Sequence, residues 1–332
     1  MHRNFFGVLA TSLIVAVGPA LAAEVDFKII AHYKLEGPGK AVGLALDTEA
    51  RRIYLAHGAN VEILNADSGA PVGQIGTGAG ASAVALIPDM KRGFVANSEA
   101  GTITVLDTES GKALKTIKST GKAPGAVIYD DGSKRVFVSN HDSGSVTALD
   151  CDSGKVLGTV ELAGKAGQLT ANGYGRLFVA APGTNLIHVI DTTTLKALGD
   201  MPAGTGQDCT GLALDPVGRR LFVACANGRV AVVDTDNGFT FEDLAGGRGP
   251  GAGVFTFLPA GKGGWKGAAF MVNADGTLTA VKMNAYISYS VGASAKLPTG
   301  IQSIAFDSKT HNLLVPAPVA GGNRWELLVI SQ

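Results

Sequence analysis

The chain has 332 residues with 28 basic and 28 acidic side chains, and no run of like charge occurs anywhere. That balance excludes an evident nucleic-acid groove or a basic membrane-binding surface. Apolar residues make up 46% and the 46 glycines are scattered at turn positions, which excludes a disordered chain.

Residues 1–23, "MHRNFFGVLATSLIVAVGPALAA", open with a basic Arg3, continue through an apolar stretch and end in small residues. This is the pattern of a cleaved secretory signal, cut after Ala22 or Ala23, and the apolar run is too short for a membrane span. Without Arg3, 27 basic side chains face 28 acidic ones. The expectation is an exported chain, periplasmic or secreted, that has no membrane span and is monomeric.

From there one phrase recurs. The strands "RIYLAH", "RGFVAN", "RVFVSN", "RLFVAA", "RLFVAC", "AFMVNA" and "NLLVPA" are centred on Tyr54, Phe94, Phe137, Phe178, Phe222, Phe270 and Leu314, roughly 40 to 48 residues apart. Each is preceded by an apolar strand such as "VGLALD" and followed by another such as "ITVLD". A weaker fourth follows a "DSG", "ESG" or "DNG" turn, whose acid caps the backbone and whose glycine supplies positive φ. Four strands at this period define a β-propeller blade, which cannot stand alone because both faces are apolar. The sequence therefore predicts an all-β, seven-bladed propeller of four-stranded antiparallel blades, one domain over residues 24–332. The blades fall near 40–77, 78–121, 122–164, 165–206, 207–249, 250–299 and 300–332.

The last blade ends at its third strand, "WELLVISQ", whereas the segment "DFKIIAHYKLEG" precedes the first blade as a spare strand. Residues 27–35 are predicted to pair as the outer strand of the last blade and close the ring, which removes the free sheet edges.

The phrases "FVAN" and "FVSN", followed by "ITVLDTESGK", resemble the repeats of the YVTN family of β-propeller proteins. Asn97, Asn140 and Asn273 stand at that motif's last position, and Phe94, Phe137 and Phe270 at its aromatic one. Blades 4 and 5 carry Ala181 and Cys225 in place of Asn, and blade 7 reads "LVPA". The resemblance spans nearly the whole chain after residue 23. It implies an exported seven-bladed propeller and no particular activity, because the motif is architectural.

The second strand of each blade ends on the face where propeller ligands usually sit. His57, Asn97, Asn140, His141 and Asn273 are therefore the candidate ligand-binding residues of this upper face. Asn side chains also cap turns, so a purely structural use competes with this reading. His57 and His141 lie on blades 1 and 3, which are not neighbours, with no HxH, HxxxH or carboxylate cluster, and no metal site is assigned. Trp265, in the blade 6 insertion "PAGKGGWKG", is a candidate partner anchor, or else a side chain packed under its own loop.

Cys209 and Cys225 bracket a hairpin that sets them nearly opposite, and a disulfide is expected in an oxidising compartment. Reduced thiols remain the alternative, because the register is uncertain by one residue. Cys151 is left unpaired. The glycine-rich stretches lack the Lys-Ser/Thr of a phosphate loop, and no G-x-S-x-G occurs. No catalytic residue and no cofactor are assigned. The expected role is a non-catalytic binding scaffold recognising a protein or small ligand, with no nucleic acid. The alternative is a lactonase-like or other hydrolytic or metal-dependent enzyme acting at the channel mouth.

Overall fold

A computed structural model describes residues 26–256, 267–285 and 288–332. The expected signal segment and Trp265 lie outside these residues. Seven four-stranded antiparallel sheets follow one another along the chain. Blade 1 runs through Ala41–Asp47, Arg52–His57, Asn60–Asn65 and Pro71–Gly76, innermost strand first, and the other blades repeat this order. The innermost strands of successive blades touch in a circle, and Ala41–Asp47 meets Ala305–Asp307 of blade 7.

The circle is closed as expected. Lys28–Lys34 pairs antiparallel with Trp325–Ser331, with Ile29 opposite Ile330 and Tyr33 opposite Leu327. Blade 7 thus takes three strands from one end of the chain and one from the other.

The core is divided into seven apolar clusters, each lying between two adjacent blades. The period-2 alternation of strands explains the division. In Arg92–Asn97, Phe94 and Ala96 pack toward blade 3, whereas Val95 packs toward blade 1. Tyr54 and the five phenylalanines at the repeat centres are fully buried. Each contributes about 2–3 kcal/mol of transfer free energy that an isolated blade would forgo.

Turns follow the local chemistry of the repeat. Asp107 accepts N–H bonds from Glu109 and Ser110, and Asp150 accepts one from Ser153, before Gly111 (φ 67°) and Gly154 (φ 61°). Where neighbouring inner strands approach most closely, a side chain is impossible. A Cβ on Gly43 would lie 2.4 Å from the Ser82 carbonyl oxygen.

The arginines that open the second strands hold adjacent blades together. Arg52 donates to the Thr108 carbonyl (3.1 Å), Arg135 to Thr192 (2.6 Å) and Arg176 to Thr235 (2.6 Å), each one blade onward, and Arg92 reaches Asp152 in the same way. Across the closing seam, Arg51 of blade 1 forks onto Asp307 of blade 7, Nη1–Oδ1 3.0 Å and Nη2–Oδ2 2.7 Å.

Candidate functional site

A cavity of about 930 Å³ occupies the middle of the ring, lined by the inner strands and their entry loops. What aims side chains into it is a recurring bulge. The ladder between first and second strands slips between Ala41 and Gly43, Ala81 and Ala83, Pro124 and Val127, and Cys209 and Gly211. The extra residues, Val42, Ser82, Gly125 with Ala126, and Thr210, all line the cavity. In blade 4 both Gly167 and Gln168 bond to Ala180, with the same effect.

On the inner strands the hydrogen-bonding groups of this lining are neutral, and its charged residues, Lys165 and Asp208, lie in the entry loops. Ser82 Oγ lies 3.0–3.1 Å from the carbonyls of Ala96, Pro124 and Gly125 and ties blade 2 to blade 3. Thr210 Oγ1 accepts the Gly251 N–H (2.7 Å), and Gln168 Oε1 accepts that of Leu212 (3.2 Å). Ser303 Oγ is out of contact with solvent and has no partner. On blades 3 to 5 the lining also includes His141, Lys165, Pro182, Thr184 and Asp208.

Of the candidate ligand-binding residues among the described residues, His141 alone lines the cavity. Asn97, Asn140 and Asn273 are fully buried, their side chains turned into the blade. Asn97 Nδ2 donates to Thr77 O, Thr102 Oγ1 and Thr104 Oγ1. Asn140 Nδ2 donates to Ser145 and Thr147 and its Oδ1 accepts from Ser119, while Asn273 donates to Gly249 O. In blades 2 and 3 these amides hold the entering loop to the third strand, and in blade 6 Asn273 holds the entering loop. The residues missed were Ser82, Gln168, Thr210, Gln302 and Ser303. Their signal was the polar residue near the start of each inner strand, in "GASAV", "KAGQL" and "GIQSI".

His57 holds the same register position in blade 1. It is buried, with Nδ1 2.8 Å from Glu62 Oε1 and Nε2 donating to Gly39 O at 3.0 Å. Burial alone would push its pKa down, but the bond and charge of Glu62, with the Gly39 carbonyl, outweigh that and hold it above 6.5. His57 thus fastens the linker behind the closing strand. Among the described residues, no three His, Cys, Asp or Glu side chains gather to hold a metal.

In blade 5 the same position is Cys225, disulfide-bonded to Cys209 across the first strand pair. The bridge stands where an amide network stands in blades 2 and 3, and both cysteines are buried. Cys151 is buried and free. With a sequence separation of 16, the bridge stabilises by about 3 kcal/mol in the chain-entropy model. Denatured, unreduced protein is expected to show one free thiol, and Cys209→Ala/Cys225→Ala to unfold at lower urea. Three free thiols, or an unchanged urea midpoint, would contradict the bridge.

The fold and this central cavity together define a seven-bladed β-propeller with an open channel. No protein-family model matches the chain, and no curated protein matches it by sequence. Solved structures do match. The structure of U3-55K superposes with a TM-score of 0.72 at 12% identity, covering 94% of this chain and 100% of that one. Hydrazine synthase from Kuenenia stuttgartiensis matches with a TM-score of 0.72 at 15% identity, covering 91% and 98%. At such identity the likeness is one of fold.

Proposed function

We propose that this protein is an exported binding propeller of the YVTN type, which captures a small ligand or an extended segment of a partner in its central channel. Export is argued from the signal-like residues 1–23 and fits the disulfide. The family reading rests on the repeat phrases, in particular the Asn97 and Asn140 positions.

The observation that carries the binding role is the lining. All seven blades line one cavity of about 930 Å³, the size of a small-molecule site, and bring hydroxyl, amide and backbone groups to it. Small residues keep the walls apart, and the Ser303 hydroxyl lacks a protein partner. Such a surface recognises shape and hydrogen-bonding pattern. Among the described residues His141 is hydrogen-bonded to Asp142 and to no hydroxyl of the lining, so a binding role accounts for the geometry more simply than a hydrolytic one.

Gly125 provides the test. A Cβ there would meet Ser139 Oγ at 3.7 Å and Ala123 O at 3.8 Å, ordinary contact distances, so a side chain can be attached without displacing backbone, and leucine should occupy the channel. In a thermal-shift screen of small polar metabolites, compounds that raise the melting temperature of the native chain should lose their effect on Gly125→Leu. Gly73→Leu, on the outermost strand of blade 1 with nothing within 4 Å, should respond like the native chain. Equal responses from Gly125→Leu and the native chain would refute a channel site.

A further inference from the structure

We infer that the blade 3–4 side of the channel mouth is an anion site, and that the bound ligand carries a carboxylate or phosphate head held by Lys122 and Lys165 beside His141. The inference rests on the channel reading above and specifies its ligand. Backbone bonds fix these three residues as neighbours. The His141 N–H donates to Ala123 O (2.9 Å), next to Lys122, and the Ala166 N–H, next to Lys165, donates to His141 O (3.4 Å). Lys165 and His141 line the cavity itself.

Both lysines are exposed, and neither forms an ion pair among the described residues. The nearby carboxylate, Asp142, is turned to His141, whose Nδ1 lies 2.9 Å from its Oδ1. Its carboxyl is held low first by the His141 hydrogen bond and to a lesser degree by the charges of Lys165 and Lys122, so that, like Asp208, it competes with an entering anion for these cations.

The lining itself carries one charge of each sign, Lys165 and Asp208. Asp208, of blade 5, lines the same cavity and accepts the Gly183 N–H at 2.7 Å. Lys40 and Arg248 stand beside the inner strands of blades 1 and 6, both exposed. Lys122, Lys40 and Arg248 add positive charge around the opening, Asp142 and Asp208 oppose it, and a cleft focuses the local field at Lys122 and Lys165 on an entering anion. The neutral groups below would then receive the uncharged body of the ligand. Asp208 works against the anion and sets a limit on its affinity.

The test is calorimetric titration with citrate and with inorganic phosphate at constant ionic strength. Saturable binding is expected, and the tighter of the two probes identifies the head group. Lys122→Gln/Lys165→Gln should weaken that probe roughly tenfold, the effect of two partly exposed charge contacts. Asp208→Asn, which keeps the acceptor for Gly183, should tighten it about threefold by removing a like charge. Lys112→Gln/Lys118→Gln on the outermost strand of blade 2 should leave it unchanged. Equal affinity of the native and Lys122→Gln/Lys165→Gln proteins, or no binding of either probe, would overturn the assignment. If instead a neutral ligand binds, is lost in Gly125→Leu and is indifferent to the lysines, the channel reading stands and the anion site falls.

Discussion

Removing residues 24–35 should lower the melting temperature by about 10 °C or more. The deletion takes away the strand that forms six register pairs with Trp325–Ser331. It also uncovers Leu327 and Val329, which pack with Leu35 and Trp325 between blades 7 and 1. At about 1 kcal/mol for each ladder hydrogen bond, plus the apolar area lost, several kcal/mol disappear. For a chain of this length that converts to roughly 10 °C. Because the deleted piece is a single edge strand, a synthetic peptide of residues 24–35 added in excess should restore most of the loss. An unchanged melting temperature would mean that the ring does not depend on this clasp.

Arg51→Ala should destabilise the protein by about 3–5 kcal/mol, the cost of leaving one partner of a buried ion pair alone. The pair is enclosed: side-chain exposure is 9% for Arg51 and 3% for Asp307. Burial by itself would raise the Asp307 carboxyl. The Arg51 fork, the Thr310 hydroxyl and the Lys309 N–H outweigh it and hold the group below 3.8. The sign of the pH dependence follows. A carboxylate with a depressed native pKa contributes stability that is complete above its unfolded value and is lost as pH falls through the folded one. The difference in urea stability between native and Arg51→Ala protein should therefore be full at neutral pH and close in acid below about pH 4. Arg51→Ala/Asp307→Ala should cost less than Arg51→Ala alone, since no buried charge is orphaned and Asp67, the other partner of Arg51, is exposed to solvent. A single-variant loss below about 1 kcal/mol at neutral pH would show that this pair does not fasten the seam.

The two predictions concern contacts that were unequally visible in the sequence. The clasp was legible because the repeat leaves blade 7 one strand short while a spare strand precedes blade 1. The disulfide was legible because each blade fixes the register of its first two strands, which brings position 209 opposite 225. The Arg51–Asp307 pair joins residues 256 apart. Only ring closure brings them together, so no local pattern could announce it.

The candidate site was less legible than the fold. The motif asparagines were placed at the correct end of their strands, yet strand parity turns them into the blade, toward Thr104 and Thr147. The bulges that turn Ser82 and Thr210 to the channel insert one residue into an otherwise regular alternation. A period-2 reading cannot place such a residue, and each is bordered by glycine or alanine that carries no signal of its own. His141 escaped this ambiguity because it lies one residue beyond its strand, on the rim.

The most direct test of a ligand site in the channel is hydrogen exchange with and without the best binder from the metabolite or citrate titrations. The channel reading predicts slowed exchange in the entry segments 122–128 and 164–169 and in their neighbours on the inner strands, with the outermost strands of all seven blades unaffected. Slowing confined to the outer strands, or to the turns on the opposite face of the ring, would contradict it.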